Sequence, residues 1–334
     1  MVKVITVSDI KKLIDQIGLK NFFSGLIASL EKEYSRWEEF EKSPRHAIHT
    51  HDGVIELMPT ADDDYYSFKY VNGHPNNAKQ KKLTVIALGL LSDVNNGYPL
   101  LLSEMTLLTA LRTGATSALA SKYLAKKNSK VMGIIGTGAQ SEFQILAHKT
   151  VFPIETVKYF DIDPEAMKKF QHNLKDQDLK LIACNNAESV VDSCDIITTA
   201  TAAKGHVDIL KNEWIKAGMH INGIGGDCPG KTELDKNILS RTKIVVEYFP
   251  QSKIEGEIQQ TDDEVYAELW ELISGKKTGR NDNDEITLFD SVGFALEDFA
   301  ILKLIHELSV KNNIGSEMDL IPALKDTKNL FGVL

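Results

Sequence analysis

The segment KVMGIIGTGAQ, residues 130–140, decides the fold of this chain. Its first half is an apolar run typical of a buried strand, and Gly136 and Gly138 follow before the helical pattern SEFQILAHKTV begins. The first glycine permits a tight turn, and the second lets the backbone approach a pyrophosphate at a helix N-terminus. Ser141, a small residue, replaces the third glycine of such turns. The segment therefore predicts a strand, a turn and a helix that bind a dinucleotide.

The next strand pattern, TVKYFDID, ends at Asp161, 25 residues after Gly136. An acid at this position is expected to hydrogen-bond a ribose 2′-hydroxyl and to repel a 2′-phosphate, which favours NAD over NADP. The alternative interpretation is a glycine turn in an unrelated α/β sheet.

Strand and helix patterns continue to alternate from Lys127 to the amphipathic segment FALEDFAILKLIHELSV, which predicts βαβ units on a parallel sheet. Residues 8–40 predict helices capped by Ser8 and Asp9, and apolar–polar alternation from His46 to Asp93 predicts an antiparallel or mixed sheet. We therefore predict an α/β protein of two domains. Residues 1–115 form the first, with the tail 313–334 packing back, and residues 116–312 form a Rossmann-type, doubly wound NAD-binding domain.

The composition is that of an ordinary globular protein: 334 residues, 43% apolar and 25% charged. A formal net charge of -9 without a basic stripe argues against nucleic-acid binding. The cysteines Cys184, Cys194 and Cys228 form no CxxC pair, which fits a reducing compartment. No signal-peptide pattern or apolar run of about 18 residues occurs, so we predict a cytoplasmic protein that does not span a membrane.

Asp227 lies in GGDCPGKTELD, residues 225–235, just beyond the strand pattern GMHIN. Ligands of open parallel sheets bind beyond the carboxyl ends of the strands, so this bend is expected to deliver a carboxylate to the cofactor crevice. The alternative is a turn or N-cap acid without a chemical role, although Thr232 is an equally good cap.

The segments GVIELMPT, FKYVNGHP, LLSEMTLLTALRTGATSALA, GTGAQSEF and above all GGDCPGKTELD resemble the ornithine cyclodeaminase/mu-crystallin family, in its ornithine cyclodeaminase branch. The resemblance runs from about Pro44 almost to the end of the chain. It implies a homodimer built through the first domain, which also binds the substrate, and a catalytic use of NAD. In the reaction that the resemblance implies, hydride leaves Cα of L-ornithine, the δ-amine attacks the resulting imine, ammonia leaves, and the hydride returns to the cyclic imine to give L-proline.

The resemblance also implies roles for individual residues. Asp227 matches the catalytic acid, which holds the δ-ammonium and accepts its proton, and Glu56 matches a second carboxylate that places a water or aids proton transfer. The substrate-binding positions are Arg45, Lys69, Arg112 and Val292. The cofactor-binding positions are Thr84, Arg112, Thr113, Gly136, Gly138, Ala139, Gln140, Asp161, Thr201, Ser291 and Lys328.

Several alternatives stay open at the level of sequence. Each of the three cations can be a solvated surface charge, Glu56 can point outward from its strand, and Lys328 binds cofactor only if the tail folds back over it. The same sequence pattern also fits three other functions: a lysine cyclodeaminase, an amino-acid dehydrogenase or imine reductase, and a non-catalytic dinucleotide or small-ligand binder. No metal is expected, because the HxH motif of His49 and His51 lacks a third ligand cluster nearby.

Overall fold

The computed structural model describes residues 1–262 and 264–334. The strands are β1 Val2–Ile5, β2 His46–His49, β3 Val54–Ala61, β4 Tyr65–Gly73, β5 Val85–Asp93, β6 Pro99–Glu104, β7 Val131–Ile135, β8 Thr156–Phe160, β9 Lys180–Ala183, β10 Ile196–Thr199, β11 His206–Leu210, β12 His220–Gly223, β13 Thr232–Leu234, β14 Lys243–Val246, β15 Ala267–Glu268, β16 Thr287–Asp290 and β17 Ser316–Met318. The helices are α1 Val7–Ile17, α2 Leu19–Ser35, α3 Thr106–Leu124, α4 Ser141–Val151, α5 Pro164–Leu174, α6 Ala187–Val191, α7 Lys236–Leu239, α8 Phe249–Glu255, α9 Leu269–Ile273 and α10 Ala295–Lys311. Short 3₁₀ helices lie at Trp37–Glu39, Pro75–Gln80, Asn212–Trp214, Glu257–Gln260 and Leu330–Val333.

The chain divides into two compact units. The first unit comprises residues 1–19, 39–108 and 298–334, and the second comprises residues 20–38 and 109–297. This division joins most of α2 to the second unit, where the hydroxyl of Tyr34 donates a hydrogen bond to Glu297. It also differs from the sequence boundaries at 115/116 and 312/313, which concern substrate and cofactor domains as functional units and stay a prediction.

The second unit is built on an eight-stranded sheet in the order β15-β14-β16-β12-β10-β7-β8-β9, and each of its strand pairs is parallel. The chain enters at the centre with β7, moves outward through β8 and β9, and then returns to β10 on the other side of β7. The order of strands reverses between β7 and β10, which is where ligands of such sheets bind. A two-stranded parallel sheet of β11 and β13 completes the unit.

Helices cover both faces of this sheet, as the doubly wound prediction requires. On β7, Met132 and Ile134 belong to one apolar core, and Ile135 belongs to another. The first core includes Ile145 of α4, Phe170 and Leu174 of α5; the second includes Val190 and Val191 of α6, Ile238 and Leu239 of α7. Side chains that alternate along one strand therefore bury apolar surface on opposite faces, which confirms the predicted fold class.

The first unit contains a mixed seven-stranded sheet in the order β17-β1-β6-β5-β4-β3-β2. Strands β2 to β6 are antiparallel neighbours, whereas β1 pairs parallel with β6 and antiparallel with β17. Helix α10 packs on one face of this sheet. Its Leu302 lies against Gly89 of β5, where a side chain on the glycine would meet it. The other face carries exposed apolar side chains, among them Ile48, Leu57, Ile86 and Leu88.

The N-terminus departs from the sequence-based prediction. Residues 2–5 form a strand, and the helix that follows is capped by Thr6, whose hydroxyl accepts a hydrogen bond from the Asp9 N–H. The Asp9 carboxylate in turn accepts a hydrogen bond from the Thr6 N–H at 3.0 Å, which completes a capping box. The predicted cap at Ser8 was wrong, because the N-cap is Thr6, while Asp9 does take part in capping as the second member of the box. The strand that precedes the helix forms by pairing with residues 101–103 and 316–318.

Candidate active site

The glycine turn of the second unit leaves room for a ligand. Gly136 has φ +95°, and a side chain there would collide with the carbonyl of Ala200, so glycine is required on both grounds. Gly138, in contrast, has no atom within 4 Å of its missing Cβ and is exposed. Ser141 is buried and donates to the Gly138 carbonyl at 2.8 Å. The turn is therefore closed toward the protein and open on the side from which a pyrophosphate would approach.

Asp161 follows β8 directly and holds the glycine turn. Its carboxylate accepts hydrogen bonds from the N–H of Thr137 at 2.6 Å, from the Thr137 hydroxyl at 3.2 Å and from the N–H of Asp163 at 2.9 Å. The acid thus lies at the carboxyl end of the strand beside β7, the position that recognises a ribose hydroxyl in dinucleotide-binding folds.

The end of β10 carries a second predicted cofactor residue. The backbone N–H of Thr201 donates to Glu233 Oε1 at 2.9 Å, and its hydroxyl donates to the same oxygen. Burial raises the pKa of Glu233, and the bonds from Thr201 oppose that rise. The sequence-based prediction did not include Glu233, although the sequence shows an acid there, between Thr232 and the apolar Leu234.

Asp227 lies on the loop that follows β12, at the carboxyl edge of the parallel sheet. Its side chain is 52% exposed, and its Oδ1 lies 3.0 Å from Nζ of Lys231. Burial alone would lower the pKa of Lys231, but the neighbouring Asp227 carboxylate raises it above the ordinary value. Helix α7 is capped by Asp235, which accepts from the N–H of Asn237. The alternative that Asp227 serves as the cap of this helix was therefore wrong.

Arg112 of α3 is buried and ion-paired. Its Nη1 lies 2.6 Å from Oε2 of Glu297, and the two side chains are 7% and 0% exposed. Gly293, with φ +76°, passes directly over the guanidinium, so that a side chain there would overlap Arg112. The interpretation of Arg112 as a solvated surface charge was wrong, since its guanidinium is enclosed by protein.

Ser291 and Val292, which follow β16, are held by a buried acid. Glu247 accepts from the Ser291 hydroxyl at 2.5 Å and from the backbone N–H groups of Val292 and Gly293 at 3.2 Å. Burial and the nearby charge of Glu297 raise the pKa of Glu247 above its ordinary value. Glu247 therefore fixes the backbone of two predicted site residues through hydrogen bonds that its carboxyl oxygens accept.

In the first unit, the remaining predicted substrate cations are also paired with acids. Arg45 Nη1 lies 3.2 Å from Glu56 Oε2, and their side chains are 8% and 12% exposed. Lys69 lies on β4 and contacts Asp298 of α10, with Nζ–O distances of 2.8 and 2.9 Å and both side chains 1% exposed. Neither cation is a solvated surface charge, and Glu56 does not point outward into solvent.

Registers place Glu56 and Lys69 on one face of the seven-stranded sheet. Glu56 pairs with Val71, and Lys69 pairs with Met58, so the two side chains lie in adjacent rows of the same face. Strand periodicity therefore brings a carboxylate and an ammonium of the predicted substrate set close together.

Other predicted residues occupy more open positions. Thr84, just before β5, and Ala139 are exposed, and Gln140 and Thr113 are partly buried. Lys328 lies in the exposed C-terminal segment, where its N–H donates to Asp326. Within the residues that the structure describes, no cluster of three or more His, Cys, Asp or Glu side chains is arranged to hold a metal ion.

Comparison with known proteins shows which family the chain resembles over most of its length. The model of the ornithine cyclodeaminase/mu-crystallin family matches residues 7–313. The chain belongs to this family. It is 50% identical over 335 residues to an ornithine cyclodeaminase of Agrobacterium fabrum, with 100% of this chain and 95% of that protein covered.

Among solved structures, a lysine cyclodeaminase described as recognising L-lysine, L-ornithine and L-2,4-diaminobutyric acid aligns with a TM-score of 0.93. It is 28% identical, and the alignment covers 100% of this chain and 99% of that one. An archaeal alanine dehydrogenase dimer with bound NAD aligns with a TM-score of 0.88 at 35% identity, covering 96% and 99%. The chain thus shares its fold with enzymes of more than one reaction type.

None of the helices among the described residues combines the length and apolar character needed to cross a membrane.

Proposed function

We propose that this protein is an ornithine cyclodeaminase, an ammonia-lyase that converts L-ornithine to L-proline and ammonia with catalytic NAD. The observation that carries the proposal is Asp227, a half-exposed carboxylate on the carboxyl edge of a dinucleotide-type sheet, with an ammonium group already bound to it at 3.0 Å. An enzyme that closes a ring through the δ-amine needs an acid that binds an ammonium and accepts its proton. The full-length identity of 50% to an ornithine cyclodeaminase supports the same reaction.

The residues present fit NAD. Gly136 closes the turn, Gly138 leaves open space beside the N-terminus of α4, and Asp161 offers a carboxylate where a 2′-phosphate would be repelled. The further residues proposed to hold the cofactor are Thr84, Arg112, Thr113, Ala139, Gln140, Thr201, Ser291 and Lys328. When bound, NAD supplies an acceptor for the hydride of Cα and returns that hydride within the same turnover.

Asp227 is proposed to bind the δ-ammonium of the substrate and to take one of its protons. Lys231 competes for the same carboxylate in the free chain, so the incoming ammonium replaces one cationic partner with another. The deprotonated amine is then a nucleophile next to Cα, and its attack is effectively unimolecular. Asp227 can return the proton to the leaving nitrogen, which departs as ammonia.

Arg45, Lys69 and Arg112 are proposed to bind the substrate carboxylate, with Val292 contributing an apolar contact. Guanidinium groups suit this task because they offer two parallel N–H donors. Each cation is held by an acid in the free chain, namely Glu56, Asp298 and Glu297 respectively. Glu56, on the same sheet face as Lys69, is proposed to orient a water or to assist proton transfer.

A lysine cyclodeaminase is the second candidate, because the lysine cyclodeaminase structure aligns over the whole chain with a TM-score of 0.93. One methylene separates L-lysine from L-ornithine, and a pocket discriminates such a difference by only ~1–3 kcal/mol. An amino-acid dehydrogenase or imine reductase of the same fold is the third, and the alanine dehydrogenase similarity favours it over a non-catalytic binder.

The test is incubation with L-ornithine and substoichiometric NAD⁺, with ammonia, proline and NADH absorbance followed together. Equal amounts of ammonia and proline without NADH accumulation are expected. Steady NADH accumulation would replace this proposal with a dehydrogenase, and faster turnover of L-lysine would replace it with a lysine cyclodeaminase.

We further propose that the protein is a cytoplasmic homodimer that links ornithine catabolism to proline formation. The exposed apolar side chains of Leu57 and Leu88 lie on the open face of the first unit's sheet, and such a face fits a second copy. Leu57→Glu with Leu88→Glu is expected to halve the mass measured by light scattering, whereas Ile254→Glu, which changes an exposed apolar residue of the second unit, is not. An unchanged mass in the double variant would place the interface elsewhere.

A further inference from the structure

The loop that carries Asp227 rests on buried carboxylates. A side chain at Gly225 would overlap the carboxylate of Glu233, and one at Gly226 would meet that of Glu257. Both acids are fully buried. The glycine pair before Asp227 is therefore explained by two acids directly beneath the backbone, since only glycine allows this approach.

Glu233 makes contacts that join two parts of the sheet edge. Its Oε1 accepts both the N–H and the hydroxyl of Thr201 after β10, and its carboxylate supports Gly225 after β12. Strand β13, which carries Glu233, is anchored in turn, because the Glu233 N–H donates to Glu257 at 2.8 Å. One buried side chain thus contacts the backbone of two neighbouring loops.

A separate contact holds the far side of the Asp227 loop. Gln259 accepts from the Gly230 N–H at 2.6 Å and donates to the carbonyls of Cys228 and Lys231 at 3.4 and 3.1 Å. The loop is therefore supported beneath Gly225 by Glu233 and beyond Asp227 by Gln259. Of the two supports, Glu233 is the one that also bonds a predicted cofactor residue.

We propose that Glu233 is a positioning residue that fixes the Asp227 loop relative to Thr201. The inference deepens the proposed function, on which it rests for the role of Asp227 in proton transfer. Loss of the carboxylate removes the acceptor of two Thr201 donors and opens a space beneath Gly225, so that Asp227 no longer has a single position. Replacement by glutamine keeps an acceptor oxygen and most of the volume, and so preserves that position.

Cys228 reports on the loop without any need for turnover. It is the partly buried thiol beside Asp227, whereas Cys184 and Cys194 are buried in the core. Reaction with a disulfide reagent such as DTNB under native conditions is expected to be roughly tenfold or more faster in Glu233→Ala than in the wild type, because the two hydrogen bonds from Thr201 are lost. Glu233→Gln is expected to react at nearly the wild-type rate.

Controls separate a local from a global effect. The Cys228→Ser background identifies reaction at the other two cysteines, which rises only if Glu233→Ala loosens the whole unit. Asp195→Asn is a matched variant, because Asp195 accepts two backbone N–H groups at the opposite edge of the same sheet, from Lys130 at 2.8 Å and Val131 at 3.0 Å. It is expected to leave Cys228 labelling unchanged.

Two further measurements complete the test. In Glu233→Ala, kcat with L-ornithine is expected to fall roughly tenfold or more and NAD⁺ to bind more weakly by titration, and Glu233→Gln is expected to rescue both. Equal labelling of Cys228 in all variants, or failure of glutamine to rescue, would overturn the positioning role. Absence of proline formation by the wild type would instead refute the proposed function, and the labelling result would stand apart from it.

Discussion

Asp227→Asn is the perturbation that separates chemistry from stability in this protein. The substitution keeps the shape of the side chain but removes the charge that binds an ammonium and accepts its proton. General acid–base catalysis contributes ~10²- to 10⁴-fold, so kcat is expected to fall by that factor, equivalent to roughly 3–5 kcal/mol of transition-state stabilisation.

The effect on folding is expected to be small. The Asp227 side chain is 52% exposed, whereas that of its ion-pair partner Lys231 is 15% exposed. Asparagine keeps an amide oxygen that can accept a hydrogen bond from the Lys231 ammonium, so the free energy of unfolding should fall by only about 1 kcal/mol. Affinity for NAD⁺ should persist, because the turn at Gly136 and the acid Asp161 are untouched.

The assay combines three measurements on one preparation: ammonia and proline formation from L-ornithine, NAD⁺ titration and urea unfolding. Asp235→Asn is the matched control, since it neutralises an acid of the same segment that caps α7, and asparagine is as good a cap as aspartate. The control should keep both kcat and stability. Wild-type kcat in Asp227→Asn would remove Asp227 from the mechanism, and a loss of activity that tracks unfolding would make its role structural.

Asp161→Ala should weaken NAD⁺ binding roughly tenfold while kcat at saturating NAD⁺ persists, and unchanged affinity in a titration would show that the ribose is held elsewhere. Lys69→Met leaves Asp298 buried without its ammonium partner, which should lower the free energy of unfolding by ~3–5 kcal/mol. The double variant Lys69→Met with Asp298→Leu should recover stability but not substrate affinity. Equal urea unfolding curves for the two variants would contradict this. Burial lowers the pKa of His148 from 6.5 to about 4, so the neutral ring stabilises the folded state fully above pH ~6.5, and this contribution is lost as the pH falls toward 4. His148→Asn should therefore remove roughly 2 kcal/mol of the stability change between pH 7 and pH 5, and urea curves whose pH dependence matches the wild type would refute that assignment.

Local sequence patterns were enough to predict the glycine turn with its flanking strand and helix, and the position of Asp227. The strand, glycine turn and helix at residues 130–151 are encoded by an apolar run, Gly136 and a helical period, and the structure has them in that order. The position of Asp227 just beyond β12 followed from a short apolar run and a tight bend. Each of these signals lies within a few residues of the feature that it predicts.

Long-range contacts decided the rest. Strand β1 is only four residues long and exists through pairing with β6 and β17, far along the chain. Most of α2 belongs to the second unit, where the Tyr34 hydroxyl donates a hydrogen bond to Glu297, 263 residues further along the chain. Contacts of this length leave no local trace in periodicity or composition.

By itself, the sequence determined a doubly wound sheet, its dinucleotide-binding turn and an acid at the carboxyl edge, because strand period, glycine conformation and helix period are local properties of the chain. Only the tertiary structure decided which acids are buried and which hydrogen-bond donors or cation each one holds. Glu233, Glu247 and Glu297 are ordinary glutamates in the sequence. Their burial and their partners arise from segments brought together by folding, and a buried acid persists only where such partners compensate for lost water.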